Sequence, residues 1–93
     1  MSTEETIEKT TELLPATHLR WACRRGMLEL DILLGDFVDN KYFDALSFEE
    51  KLIFQDLLQE SDQDLHGFFM TRVKPESEAV ASVIEKIRRA AAT

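Results

Sequence analysis

Trp21-Ala22-Cys23-Arg24-Arg25-Gly26-Met27-Leu28-Glu29-Leu30-Asp31 is the stretch on which the fold turns. An aromatic residue and two arginines lead to a single glycine, after which a carboxylate and an apolar pattern begin. This predicts a corner between two helices. Gly26 suits the position just past a helix end, where the backbone commonly turns left-handed and a Cβ is penalised. Glu29 then falls in the first turn of the next helix, where the positive end of the dipole favours an anion. The corner is expected to bring Arg24, Arg25, a bare glycine backbone and Glu29 together.

On the N-terminal side of the corner, residues 16–25 read as a short helix. Leu19, Ala22 and Cys23 share one face at the i, i+3, i+4 spacing, and Arg20 and Arg24 share another. Trp21 is expected to cap the edge of the core. Cys23 reads as a small buried hydrophobe rather than a nucleophile, since no positioned base accompanies it. Residues 1–14, rich in Thr and Glu, read as a loose tail with a helical turn near Leu13. Pro15 marks the start of a folded domain over 15–93.

On the C-terminal side, residues 27–40 read as a second helix with Met27, Leu30, Leu34, Phe37 and Val38 in one stripe. Glu29, Asp36 and Asn40 fall on the far side, together with Leu28 and Ile32, which beside the glycine could form a docking patch. Gly35 costs on the order of 1 kcal/mol relative to Ala and would permit close packing by a neighbouring helix. Tyr42 and Phe43 are expected to fold back on the core. Ser47-Phe48-Glu49-Glu50 is a capping box that starts a third helix, whose stripe is Leu52 or Ile53, Phe54, Leu57 and Leu58. Ser61 or Asp62 caps a short fourth helix carrying Leu65, Phe68 and Phe69. Pro75 suits the first turn of a last helix, in which Val80, Val83, Ile84 and Ile87 repeat at i, i+3, i+4, i+7. Lys86, Arg88 and Arg89 read as a solvated complement to its dipole. The sum is an all-α, compact single-domain bundle of about five helices.

Composition narrows the function classes. The 93 residues suffice for one small domain, and hydrophobic content of 44% suffices for one core. A formal net charge of -7 opposes binding to nucleic acid or anionic membrane. The sole cysteine excludes an internal disulfide or an all-cysteine metal site. No apolar run is long enough to span a bilayer, and the acidic start lacks the features of a secretory signal, so a cytoplasmic protein without direct membrane insertion is expected. Asp62 and Asp64 lack the glycine and terminal glutamate of a calcium loop. No phosphate-cradling loop, Ser/His/Asp arrangement or metal-ligand cluster is present, and His18 and His66 read as a helix-start residue and an exposed one. Neither catalytic nor metal-ligating residues are therefore expected.

Arg25-Gly26-Met27-Leu28-Glu29 matches the Arg-Gly-x-x-Glu signature of the SdhE-type (YgfY-type) FAD assembly factors of the succinate dehydrogenase flavoprotein subunit. The run from Trp21 to Asp31, the stretch Leu57-Leu58 through Asp62, Asp64-Leu65 and Lys74-Pro75 resemble the same family, over roughly residues 17–88. The resemblance implies a non-enzyme that binds the flavoprotein subunit of succinate dehydrogenase, or of fumarate reductase, and promotes covalent attachment of FAD to a histidine of that partner. The FAD belongs to the partner, and the chain has no cofactor of its own. Arg25, Gly26 and Glu29 would contact the partner, with Met27, Arg24 and Trp21 on the same face, and the free protein is expected to be a monomer. Three plainer readings stand beside it: a local Arg25–Glu29 surface ion pair worth at most about 1 kcal/mol, an antitoxin-like or regulatory helical module, and a nucleic-acid binder that the net charge opposes.

Overall fold

The last helix shows why the chain collapses as it does. Val83, Ile84 and Ile87 are buried, and Val80 packs against the same cluster. In the computed structural model, which describes residues 12–71 and 73–92, five helices follow one another: α1 (Ala16–Ala22), α2 (Leu28–Asp39), α3 (Phe48–Leu57), α4 (Asp62–Met70) and α5 (Glu78–Ala92), with a 3-10 turn at Phe43–Ala45. No strand occurs among the described residues. The apolar stripe of α5 lies against α2 and α3, and α4 packs on α2 and α5.

Each remaining helix brings its own stripe to this centre. Leu30, Leu34 and Phe37 come from α2, Phe54 and Leu57 from α3, and Leu65 and Phe69 from α4. An aromatic group closes the far end. Phe54 meets Phe37 at 5.5 Å and Phe43 at 5.1 Å between ring centroids, and Tyr42 stacks on Phe37 at 5.9 Å. Such ring pairs add roughly 0.5–1.5 kcal/mol each beyond area burial. Tyr42 and Phe43 thus fold back as expected. The capping box is complete: Ser47 Oγ accepts from the Glu50 amide at 3.1 Å, and Glu50 Oε1 accepts from the Ser47 amide at 2.9 Å.

Several expectations need correction. α1 ends at Ala22 rather than near residue 25. Of the two candidates, Ser61 caps α4, accepting from the Asp64 amide at 3.0 Å. The last helix begins at Glu78, not around Pro75, because the Ser77 hydroxyl accepts from the amides of Ala79 and Val80 and so closes the first turn there. Lys86, Arg88 and Arg89 are not a merely solvated group. Lys86 pairs with Glu50, and Arg88 and Arg89 both pair with Glu85. His66 is half-buried rather than exposed.

Much of the expected tail, residues 1–11, lies outside the described residues. Residues 12–14 form no helical turn near Leu13. Instead Gln55, buried on α3, holds them: its Oε1 accepts from the Leu14 amide at 2.7 Å and its Nε2 donates to the Glu12 carbonyl at 3.0 Å. A buried amide side chain needs such partners, and here the backbone of a distant segment supplies them.

The braced corner as a candidate docking site

The linker between α1 and α2 contains five residues, and those amides that the end of α1 does not satisfy need an acceptor from elsewhere. The Cys23 and Arg24 amides donate to the carbonyls of Arg20 and Trp21, closing α1 with a tightened turn. The Arg25 amide faces Asp31 Oδ1 of α2 at 3.4 Å. The Gly26 amide donates to Asp62 Oδ2 at 2.8 Å. Asp62 opens α4, so the corner is closed by a residue far away in the chain.

Arg25 completes the brace. Its Nε donates to Asp62 Oδ1 at 2.8 Å, Nη1 to the carbonyls of Ala22 at 3.1 Å and Leu58 at 2.9 Å, and Nη2 to the Glu60 carbonyl at 2.8 Å. Its side chain is only 12% exposed. Leu58 and Glu60 lie at and just beyond the end of α3, so the guanidinium satisfies carbonyls that a helix terminus leaves without partners. One arginine thus joins α1, the end of α3 and the start of α4. The Arg25 guanidinium beside Asp62 holds the carboxyl below the usual aspartate range, and the amides of Gly26 and Met27 pull the same way. The Arg25–Glu29 pair of the plainer reading is therefore not formed, and Arg25 pairs with Asp62 instead.

Gly26 is a glycine for a different reason than expected. Its φ is not positive. The helix has already closed at Cys23 in the ordinary right-handed region, so no left-handed residue is needed. Space decides instead: a Cβ on Gly26 would sit 3.1 Å from Asp62 Oδ2. Gly35 follows the same logic. Its added Cβ would lie 3.0 Å from Arg20 Nη2, where Arg20 crosses α2 to grip Asp39 through bonds of 2.9 and 3.1 Å. The close neighbour of Gly35 is thus a guanidinium, not a helix backbone.

Trp21 does not cap the core. It is 71% exposed, because the buried Leu19 of α1 and the buried Cys23 that caps it each lie about 200° around the helix axis from it. The Arg24 guanidinium sits 5.3 Å from the centre of its ring. On the other side of the glycine, Leu28 is 68% and Ile32 51% exposed. Cys23 is fully buried, and burial pushes its thiol up to about 11, so it is the inert core residue expected.

Of the six residues singled out in the sequence, four line one shallow hollow: Trp21, Arg24, Arg25 and Gly26, together with Asp31 and Asp62. Met27 is half-buried against the core as the N-terminal cap position of α2. Glu29 does not join them. It is exposed and lines a separate groove along α2 with Ile32, Asp36 and Asn40. Asp62 was read from sequence as an alternative helix cap, and no local pattern marks it as a corner residue. No group of His, Cys, Asp and Glu among the described residues could hold a metal ion.

Fold and site together define a class: small all-α proteins whose distinguishing surface is a braced helix–helix corner carrying an exposed aromatic. The chain belongs to the family described as "Flavinator of succinate dehydrogenase", which matches residues 17–91. It is 53% identical to the FAD assembly factor SdhE of Idiomarina loihiensis over 66 residues, 71% of this chain and 72% of that one. With the protein of the same name from Shewanella oneidensis it shares 48% identity over 81 residues, 86% of this chain and 98% of the relative. The corresponding protein of Coxiella burnetii is 45% identical over 78 residues, covering 84% of this chain and 94% of its own.

Proposed function

We propose that this chain binds the flavoprotein subunit of succinate dehydrogenase through the α1–α2 corner and promotes covalent attachment of FAD to a histidine of that subunit. The observation that carries the reading is the placement of Trp21 and Leu28, both strongly exposed, on either side of a glycine whose backbone is held in place. Large exposed apolar groups on a small acidic protein mark a contact surface, and a fixed frame lowers the ordering cost of docking. Membership of the flavinator family and the assembly-factor names of the relatives supply the partner.

The chain acts as an assembly factor and not as an enzyme. FAD and the bond-forming groups belong to the partner, and docking favours the conformation in which they are aligned. Arg25, Gly26, Glu29, Met27, Arg24 and Trp21 are the residues proposed to serve the interface. The fumarate reductase flavoprotein is a second substrate of the same chemistry. The factor works in the cytoplasm and is a monomer when free; among the described residues no helix is long and apolar enough to cross a membrane. The antitoxin-like reading draws no support from the family.

The test is reconstitution. Purified flavoprotein incubated with FAD should gain covalent flavin, read as fluorescence on a denaturing gel, when the wild-type chain is added. Gly26→Arg should keep most helicity by circular dichroism yet give no increase. A folded Gly26→Arg variant that supports full flavinylation would remove the corner from the mechanism.

A further inference from the structure

We propose that Asp62 is the positioning residue of the docking corner, and that Arg25 works with it rather than on the partner; this rests on the function proposed above. The two carboxylate oxygens of Asp62 face different elements of the linker. Oδ1 takes Arg25 Nε and Oδ2 takes the Gly26 amide, each at 2.8 Å. The distance between guanidinium and glycine backbone is therefore set by one rigid planar group. Asp62 is in turn fixed from behind. It is the first residue of α4, whose start is capped by Ser61 and whose Leu65 and Phe69 are buried in the core. Position passes from the core to α4, from α4 to the carboxylate, and from the carboxylate to Gly26.

The other ion pairs that join helices lack this property. Arg20–Asp39 ties α1 to α2, with both bonds coming from the one guanidinium, and Lys86–Glu50 ties α5 to α3, where the amide that Glu50 accepts is that of Ser47, the cap of its own helix; neither carboxylate holds the α1–α2 linker. With Arg25 mostly covered and satisfied, the side chains left facing outward at the corner are Trp21, Arg24 and Leu28. These touch the partner, and Asp62 with Arg25 decides where they stand.

Two variants separate this from simple stabilisation. Asp62→Ala removes both bonds. Asp62→Asn keeps the shape and an acceptor for the Gly26 amide but loses the charge that pairs with Arg25. Flavinylation of the purified succinate dehydrogenase flavoprotein is followed against the concentration of the added chain. For Asp62→Ala the half-saturating concentration should rise by about tenfold or more while the plateau rate stays near wild type. Asp62→Asn should fall between, and in the free protein the Gly26 amide should lose hydrogen-exchange protection in Asp62→Ala but keep part of it in Asp62→Asn. Glu50→Ala, which loses an ion pair and a cap at the far end of α3, reports stability alone and should leave the half-saturating concentration unchanged. An unchanged half-saturating concentration for Asp62→Ala, or an equal rise for Glu50→Ala, overturns the proposal. A wild-type chain that adds no covalent flavin overturns the proposed function itself, and the two failures are told apart by the wild-type lane.

Discussion

Two arginines hold α4 from its two ends. Arg25 meets its first residue, Asp62, and the carbonyls that end α3. Arg88, on α5, donates to the carbonyls of Phe68 and Phe69 in its last turn. Both side chains are largely covered, at 12% and 21% exposure, and both satisfy carbonyls that a helix end leaves open. The difference lies in what each arginine is attached to. Arg88 stands inside a long helix, a turn before its end, whose backbone bonds hold without it. Arg25 stands in a linker, so its contacts fix the path of the chain itself. The same chemistry closes a helix end in one place and shapes a surface in the other.

Removal of Arg25 should break the comparison most sharply. Arg25→Ala leaves three carbonyls without their donor, a loss of about 3 kcal/mol, and frees the Asp62 carboxylate from its partner. The urea midpoint should fall substantially, and docking to the flavoprotein should be lost with it. A midpoint near wild type would show that the brace carries little energy. Arg88→Ala should come next, at about 1–2 kcal/mol, with flavinylation at saturating factor unchanged. If Arg88→Ala impaired docking as strongly as Arg25→Ala, the two ends would not differ as described.

Acid sharpens the contrast further. Asp62 titrates below the usual aspartate value of 3.8 because Arg25 and the Gly26 amide favour its charged form. The stability it contributes is present at neutral pH and is lost as pH falls through 3.8 toward the lower folded value. Asp62→Asn should therefore show a shallower loss of stability with acid than wild type in urea titrations. Identical slopes would mean that the carboxylate is not held as the geometry requires. The smallest stability effect belongs to Glu29→Ala. Glu29 is exposed in the first turn of α2, so the change should stay within about 0.5 kcal/mol by thermal melting. A reduced flavin band from that folded variant would show that the interface extends from the corner into the groove along α2.

Where the sequence was readable and where it was not follows the range of the interactions. The stripe of α5 and the Ser47–Glu50 box rest on neighbours within one or two turns, and both stand as read. The corner is legible because Gly26 breaks a periodic pattern. The brace is not, because Arg25 and Asp62 lie 37 residues apart, and both residue types are at home on any surface. α1 ends at Ala22, three residues before the periodic pattern predicts, so Gly26 needs no left-handed turn; this two-turn helix and its cap meet the core through Leu19, Ala22 and Cys23, which leaves Trp21 outside. The role of Gln55 is illegible for a similar reason: its partners are backbone groups of residues 12–14, and periodicity does not register a polar residue that is buried by a distant segment.

Cys23 provides a probe of this corner that requires no label to be engineered. Its thiol is fully covered, its Sγ faces the Leu19 carbonyl at 3.4 Å, and burial holds it near 11. At pH 7 only about one molecule in ten thousand would carry the thiolate in the closed state. Alkylating reagents therefore reach Cys23 chiefly when α1 swings away from the core, and their rate counts such excursions. Because the chain has one cysteine, iodoacetamide or a similar reagent reads the breathing of the docking corner directly, and a bound flavoprotein that clamps α1 should slow that reaction.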